Sequence, residues 1–267
     1  MKKETSTILI FILAVYPLVV AAANLTQDYV IFQSRGACSP PPHDLDIDVV
    51  ELHTPDGERL QAWWLHTPLA KRTVLYFQAN GTNISYRTPR LKTLAKMGVN
   101  ALLVDYRGYG ASTGRVRNEQ DIYTDGWTAW NFLTVANHID PQTIIIWGRS
   151  LGGGVAAELA QGRPIAALVL ESTFYSLDEL AQRQYWFLPT GLFLKFHFAN
   201  GAKLANITAP IVIIHSTEDD YIPYSQALKL YEAAPGARYL VQSTGSHLDL
   251  FDSHAARIVT LMDHLGI

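Results

Sequence analysis

The chain has 267 residues, of which 48% are hydrophobic and 17% are charged, and its formal net charge at pH 7 is −3. This length suffices for one large domain with a deep core. Because no long basic run accompanies the slightly acidic balance, nucleic acid is excluded as an expected partner. The single cysteine, Cys38, excludes an internal disulfide.

The N-terminus has the features of a leader segment. Lys2 and Lys3 precede an apolar run over residues 8–23, which ends in three alanines. A helix of that run would span roughly 24 Å at about 1.5 Å per residue, whereas the bilayer core is about 30 Å thick. We therefore expect residues 1–23 to be a signal peptide or an N-terminal membrane anchor. Either interpretation places the domain over residues 24–267 outside the cytoplasm, as a secreted, periplasmic or membrane-anchored protein.

Short apolar runs alternate with helical stretches through the rest of the chain. A hairpin over residues 49–65, with its turn at 55–57, is followed by predicted strands at 73–78, 100–106, 143–148, 166–172, 210–216 and 238–244. The predicted helices lie at 88–97, 119–136, 151–162, 224–234 and 252–265. Runs that are apolar throughout are typical of strands buried on both faces. The pattern therefore predicts an α/β fold with a mostly parallel sheet and helices on both faces.

One segment, residues 174–203, interrupts this alternation. It contains no evident strand and is rich in aromatic residues, including Tyr185, Trp186 and Phe187. We expect one or two helices that lie over the C-terminal edge of the sheet as a cap.

The run "IIIWGRSLGGG" (144–154) contains a G-x-S-x-G motif between a predicted strand and a predicted helix. This is the context of a nucleophile elbow, in which Ser150 is exposed on a tight turn and glycines are needed on both sides. An ordinary glycine-rich turn is the alternative. The elbow also supplies the backbone N–H of Leu151 as one oxyanion donor, and the second is expected from the loop after residue 77, which reads Gln78-Ala79-Asn80-Gly81.

A serine nucleophile needs a base and an acid, which in this class follow the serine in the order acid, then histidine. Asp219 lies in a loop directly after the predicted strand 210–216 and is the expected acid. Glu218 and Asp220 are adjacent rivals, and Glu171, at the end of an earlier strand, is an alternative.

The expected base is His247, which lies in a loop after the last predicted strand. The other histidines fit this role less well. His215 precedes the acid, and His254 and His264 fall within the final predicted helix.

These motifs resemble the serine α/β-hydrolases, in particular a compact branch with an N-terminal apolar segment that includes membrane-attached protein depalmitoylases. The resemblance covers nearly the whole chain after the leader. It is carried by "VDYRGYGASTG" (104–114), "WGRSLGGGVA" (147–156), "VIIHSTEDDYIP" (212–223) and "GSHLDL" (245–250).

The resemblance implies an α/β-hydrolase fold with an eight-stranded-type sheet and a short cap at 174–203. It also implies a triad of Ser150, Asp219 and His247, with Leu151 as one oxyanion donor and Asn80, or its neighbour Ala79, as the other. The chemistry of such a hydrolase calls for no metal or organic cofactor. Asp105 and Arg107 match a loop that we interpret as structural.

The chain departs from this family in the loop that follows residue 77. Where the family usually has His-Gly-Asn, this sequence has Gln78-Ala79-Asn80. The alanine adds a Cβ beside the expected position of a substrate carbonyl. If the loop geometry changed, losing one oxyanion donor would cost about 3 kcal/mol of transition-state stabilisation.

The sequence therefore predicts a serine hydrolase that cleaves carboxylic esters or thioesters through an acyl-enzyme. The aromatic cap favours a small-molecule or acylated substrate with an apolar acyl group, although it could be cap core instead. A noncatalytic binding protein on a hydrolase fold and a serine peptidase are the alternatives. Residues 8–23 would give the chain a membrane association.

Overall fold

The computed structural model of the chain describes residues 2–247, 264 and 266, with side chains from residue 14 onward except that of residue 35. The strands within these residues are β1 (Ser34–Arg35), β2 (Ile47–His53), β3 (Arg59–Leu65), β4 (Thr73–Phe77), β5 (Gly81–Thr82), β6 (Asn100–Val104), β7 (Ile144–Arg149), β8 (Ala167–Glu171), β9 (Ile211–Ser216) and β10 (Arg238–Ser243). The helices are α1 (Lys2–Ile31), α2 (Thr88–Lys96), α3 (Glu119–Asn131), α4 (Gly152–Ala160), α5 (Leu177–Gln184), α6 (Thr190–Phe193), α7 (Asn200–Leu204) and α8 (Tyr224–Ala233).

Eight strands form one sheet in the order β10-β9-β8-β7-β4-β6-β3-β2. β3 is antiparallel to both β2 and β6, and the remaining neighbours are parallel. The expected mostly parallel sheet that opens with an antiparallel hairpin is thereby confirmed. The chain passes from β4 to β6 on one side and then crosses to β7 on the other. This reversal creates a crevice at the carboxyl ends of β4 and β7, where α/β sheets place their ligands.

The strands are apolar throughout because each face of the sheet is covered. In β4, Leu75 and Phe77 belong to a core that also contains Val155 of α4, while Val74 and Tyr76 belong to a second core with residues of α2. Successive side chains of a strand point to opposite faces. A strand with helices on both sides therefore needs a continuous apolar run, as the sequence has.

The predicted element boundaries differ from the observed ones by a few residues, and the cap differs in number of helices. Three short helices, α5, α6 and α7, occupy the segment from 174 to 204, where we expected one or two. The end of the predicted helix 119–136 is a π-helical turn over Phe132–Ala136. The predicted helix 252–265 falls mainly on residues outside those described.

Helix α1 continues across the expected boundary between residues 23 and 24 and ends at Ile31. Ile31 and the following Phe32 pack against the main core, and the Phe32 ring contacts Phe196 of the cap edge-on at 4.8 Å. The side chains of residues 8–13, the first part of the apolar run, lie outside the described residues. Within the part of the chain that is described, no helix combines the length and apolarity needed for a membrane crossing.

A buried ion pair joins α2 to the end of β8. The Arg90 guanidinium lies 2.7 Å from Glu171 Oε1, and both side chains are buried. Trp147 Nε1 donates to the other carboxylate oxygen at 2.7 Å. Burial alone raises the pKa of Glu171, but the charges of Arg90 and Arg149 outweigh it and hold that pKa below its ordinary value. Glu171 is therefore ionised within the core and depends on its arginine partners.

Replacing Arg90 by methionine should lower the free energy of unfolding by about 3 kcal/mol, because the carboxylate of Glu171 stays buried without its closest cation. Urea denaturation monitored by tryptophan fluorescence measures this change. Lys92→Ala on the same helix is the matched control, since Lys92 pairs with Asp44 at the surface, where solvent screening leaves such pairs little effect on stability. Equal losses in the two variants would contradict this interpretation.

Candidate active site

The expected elbow is present between β7 and α4. Ser150 has φ +50°, in the left-handed region, and its backbone N–H donates to the Glu171 carbonyl at 2.8 Å. A Cβ at Gly148 would overlap the backbone of Gly152, and one at Gly152 would overlap the Phe77 carbonyl. The two glycines therefore allow α4 to begin against the ends of β7 and β4. The tight turn between them points the Ser150 hydroxyl to the histidine described next.

The structure brings Ser150, His247 and Asp219 together, although they are widely separated in the sequence. His247 Nε2 lies 3.1 Å from Ser150 Oγ. On the other side of the ring, Nδ1 lies 2.7 Å from Asp219 Oδ2. With Nδ1 protonated and donating to the carboxylate, Nε2 is free to accept the serine proton. This is the hydrogen-bonding arrangement of a nucleophile, a base and an orienting acid.

The loop after β9 fixes the orientation of the Asp219 carboxylate. Its Oδ1 accepts the backbone N–H groups of Tyr221 at 2.9 Å and Ile222 at 2.7 Å. Burial alone raises the pKa of Asp219, but the hydrogen bond and charge of His247 and the Ile222 N–H outweigh it, so this pKa is lowered. Asp219 is therefore an anion at neutral pH and stabilises positive charge on the histidine.

His215 belongs to this site, although its position before the acid gave it no expected role. It is fully buried, and its Nε2–H donates to the Ile222 carbonyl at 2.8 Å while lying 3.5 Å from Asp219 Oδ2. Burial lowers the pKa of His215, so the ring is neutral. It therefore supports the loop that holds Asp219. Its position at the end of β9, four residues before the acid, was the available signal.

The alternative candidates for the acid and the base have other environments. Glu218 and Asp220 are exposed, and Glu218 Oε2 accepts the Gly245 N–H at 2.9 Å. Glu171 is engaged by Arg90 and Trp147, as described above. Among the other histidines, His264 is exposed, and His254 lies outside the described residues.

Arg149, the variable residue of the motif before the serine, connects the elbow to the base. Its guanidinium donates to the His247 carbonyl at 2.9 Å and lies 3.5 Å from Glu171. The backbone of His247 is thereby held by a side chain adjacent to Ser150. This contact could not be expected from the motif, because its second position accepts any residue.

The expected oxyanion groups lie at the ends of α4 and β4. Leu151 precedes the first residue of α4, whose backbone N–H groups carry partial positive charge. Ala79 and Asn80 follow β4 and are half-buried. The Asn80 side chain is bonded within the protein. Its Oδ1 accepts the Gln33 N–H at 2.9 Å and the Tyr109 hydroxyl at 3.2 Å. The backbone amides of Ala79 and Asn80 remain the expected donors of this loop.

Gln78 is held by hydrogen bonds at both ends of its side chain. Its Nε2 donates to Asp105 Oδ1 at 2.6 Å, and its Oε1 accepts from Arg87 Nε at 3.3 Å. Its backbone carbonyl accepts the Tyr106 hydroxyl at 2.9 Å. Gln78 replaces the histidine that the serine α/β-hydrolases usually have here. Its hydrogen bonds nevertheless anchor the loop after β4 at its first residue.

Asp105 is buried without a directly bonded cation. Its Oδ1 also accepts the Ile84 N–H at 2.9 Å, while Oδ2 has no hydrogen-bond partner among the described residues. Burial raises the pKa of Asp105 to about 7, against the opposing effects of the Ile84 N–H, the Gln78 amide and the Arg87 charge. Because Gln78 is neutral, it cannot offset the cost of ionising Asp105 as a protonated histidine would.

The raised pKa of Asp105 predicts a pH-dependent stability. Between the ordinary value of 3.8 and about 7, the folded state binds a proton that the unfolded state releases. Stability must therefore fall as pH rises through this window, by at most about 1.4 kcal/mol per pH unit. Asp105→Asn keeps the Oδ1 acceptor and removes the titration.

Urea unfolding of both proteins from pH 4.5 to 7.5 checks this prediction. Asp125, whose pKa is also raised to about 7 by burial, titrates in both proteins, so only the difference between the two curves reports Asp105. Parallel curves would show that Asp105 does not titrate in this range.

Comparison with known proteins agrees with this architecture. Residues 84–250 match the prolyl oligopeptidase family. The chain is 37% identical over 205 residues to an uncharacterized protein of Mycobacterium tuberculosis, covering 76% of this chain and 72% of that one. It is 30% identical over 233 residues to the alpha/beta hydrolase domain-containing protein WAV2 of Arabidopsis thaliana, covering 79% and 75%. The structure of the Pyrococcus furiosus esterase Pf2001 superposes with a TM-score of 0.73 at 20% identity, covering 88% and 97%. The fold is thus that of the α/β-hydrolases, and the chain belongs to the prolyl oligopeptidase family.

Proposed function

We propose that this protein is a serine hydrolase that cleaves carboxylic ester or thioester bonds through an acyl-enzyme on Ser150. The observation that carries the proposal is the continuous hydrogen-bond chain from Ser150 through His247 to Asp219, with distances of 3.1 and 2.7 Å. The family and the fold support a hydrolase. The choice of esters and thioesters rests on the aromatic-rich cap at 174–203 and on the fold shared with esterases.

In the first half of the reaction, His247 Nε2 takes the proton of Ser150 as Oγ attacks the substrate carbonyl carbon. The negative charge that forms on the carbonyl oxygen is stabilised by the N–H of Leu151 and by an amide of the loop at Ala79 and Asn80. The tetrahedral intermediate then collapses. The bond to the leaving group breaks, His247 gives its proton to the departing alkoxide or thiolate, and the acyl group remains on Ser150.

In the second half, water replaces the leaving group. His247 Nε2 accepts a proton from this water as its oxygen attacks the acyl carbon, and it returns the proton to Ser150 Oγ when the ester bond breaks. The carboxylic acid is released and the serine is restored. Asp219 remains ionised throughout, because the imidazolium formed twice in each cycle is stabilised by its negative charge.

A serine peptidase is the second candidate, favoured by the match of residues 84–250 to the prolyl oligopeptidase family. The same three residues could cleave an amide, since His247 is placed to protonate a leaving nitrogen. The two activities are separated by comparing a p-nitrophenyl ester with a peptide p-nitroanilide of similar apolar character. Faster acylation by the anilide would favour the peptidase.

We also propose that residues 8–23 either serve as a cleaved leader or attach the domain to a membrane on its extracytoplasmic side, as the resemblance to membrane-attached depalmitoylases implies. N-terminal sequencing of the protein purified from cells separates the two. A mature chain that starts at Asn24 would rule out the anchor.

A fluorophosphonate probe tests the role of the serine directly, since it reacts covalently with an activated serine. We expect labelling of the wild type and none of Ser150→Ala, together with a loss of ester hydrolysis of about 10⁴-fold or more. Ser225→Ala, an exposed serine at the start of α8, is the matched control and should behave as the wild type.

The noncatalytic alternative predicts a different result. A folded wild-type protein that neither reacts with the probe nor hydrolyses p-nitrophenyl acetate would indicate a binding protein. Labelling that persists in Ser150→Ala would mean that another serine is the nucleophile.

A further inference from the structure

An apolar cavity of about 290 Å³ lies between α1 and the cap. One face of α1 forms its wall, through residues at positions 23, 26, 27, 30 and 31. This spacing places them on one side of a helix. Leu180 and Ala181 of α5 and Phe193 of α6 face them across the cavity. The lining residues that the structure describes include no charged side chain.

The wall is held in place by the buried side chain of Gln27. Its Nε2 donates to the Phe193 carbonyl at 3.1 Å, and its Oε1 accepts the Lys195 N–H at 2.7 Å. Both ends of the amide are thereby bonded to the cap. Residues 24–31 of α1 are therefore a built part of the cavity, and cleavage before Asn24 would remove only Ala23 from its lining.

One residue, Tyr221, connects the cavity to the candidate base. Tyr221 lines it, and the Tyr221 ring lies 5.4 Å from the imidazole of His247. The backbone N–H of the same tyrosine donates to Asp219 at 2.9 Å. A substrate whose carbonyl is at Ser150 could therefore place an apolar substituent past Tyr221 into the cavity.

The shape of the cavity favours an elongated occupant. From residue 23 to residue 31, the α1 wall is roughly 12 Å long at about 1.5 Å per residue. An apolar cavity of about 150 Å³ holds benzene, so the volume here corresponds to about twelve carbon atoms at most. A straight alkyl chain uses this length better than a single aromatic ring.

We propose that this cavity binds the acyl chain of the substrate, a straight medium chain of about eight to twelve carbons, and that α1 and α5 set the chain-length preference. This assignment rests on the proposed esterase or thioesterase activity. It adds a substrate class and a specificity-determining surface that the triad alone does not define.

Chain-length profiles of engineered variants test the assignment. For the wild type, kcat/KM on p-nitrophenyl esters should rise from acetate to decanoate, by up to about fourfold per buried methylene, and should stop rising beyond about twelve carbons. Ala181→Trp fills the cavity and should lower kcat/KM for decanoate by at least about tenfold while changing that for acetate by less than about twofold. Gln182→Trp, on the same helix but exposed, is the matched control and should keep the wild-type profile.

A second pair of variants tests the wall formed by α1 and covers the case in which Ala181→Trp fails to fold. Val30 is half-exposed and lines the cavity, so Val30→Trp should shorten the chain-length preference. Leu25, on the same helix, is exposed and is not part of the lining, so Leu25→Trp should not. Equal effects on acetate and decanoate within either pair would overturn the assignment, as would a wild type that prefers acetate.

Binding separates this inference from the proposed activity. Decanoate titrated into Ser150→Ala by calorimetry should bind, and Ala181→Trp combined with Ser150→Ala should weaken that binding by at least about tenfold. Binding without any ester hydrolysis by the wild type would retain the cavity assignment and reject the hydrolase. Hydrolysis without decanoate binding or chain-length dependence would retain the hydrolase and reject the cavity assignment.

Discussion

The close approach of α4 to the end of β4 is the contact on which the candidate site depends. It exists because Gly148 and Gly152 lack a Cβ, and any side chain there would meet backbone atoms. The approach forces Ser150 into the left-handed region, which costs a non-glycine residue about 1–3 kcal/mol. Two hydrogen bonds with β8 and the residues after it offset this cost. The Ser150 N–H donates to the Glu171 carbonyl, and Thr173 Oγ1 donates to the Ser150 carbonyl at 2.7 Å. The nucleophile is thus held by its neighbouring strand in a conformation it would not adopt alone.

Three buried carboxylates near the sheet edge show how the surroundings decide charge. Glu171 is paired with arginine and Asp219 with a histidine and backbone N–H groups, so the pKa of each is lowered despite burial. Asp105 has only neutral donors in direct contact, and burial raises its pKa to about 7. Burial is shared by all three, so the sum of the partners' contributions explains the difference. A single arginine is not always sufficient, because burial raises the pKa of Asp125 to about 7 although Arg107 lies 2.8 Å away. Of the three, Asp219 is the one that contacts the His247 imidazole, where its negative charge would stabilise an imidazolium.

The sequence was sufficient for the fold and for the order of the candidate triad, because both depend on local patterns. Continuous apolar runs identified the strands of the two-sided sheet, and the glycines around Ser150 identified the elbow. The contact between Arg149 and His247 could not be predicted, since it joins residues 98 apart in the chain through a position where the motif has no preference. The role of His215 also depends on tertiary structure. The loop after β9 folds back so that the Ile222 carbonyl reaches His215 at the end of that strand. The number of cap helices could not be predicted either, because tertiary contacts outweigh local helix propensity in such short segments.

Helix α1 shows the limit of hydrophobicity as a signal. An apolar run is equally compatible with lipid, with a signal peptidase and with the apolar surface of a cap, because transfer out of water favours all three. What distinguishes residues 24–32 is their set of directional contacts, such as the bonds of Gln27 to the cap and the edge-on packing of Phe32 on Phe196. Just after the helix, Gln33 donates to Asn80 in the loop that follows β4. The segment that lines the cavity is therefore tied to the loop expected to supply the second oxyanion donor. This hydrogen bond is followed by the pairing of β1 with β5 in the same loop. If the proposed acyl chain shifted α1 on entering the cavity, these contacts would carry the shift to that loop, and the chain length and the rate of acylation would then depend on the same short piece of helix.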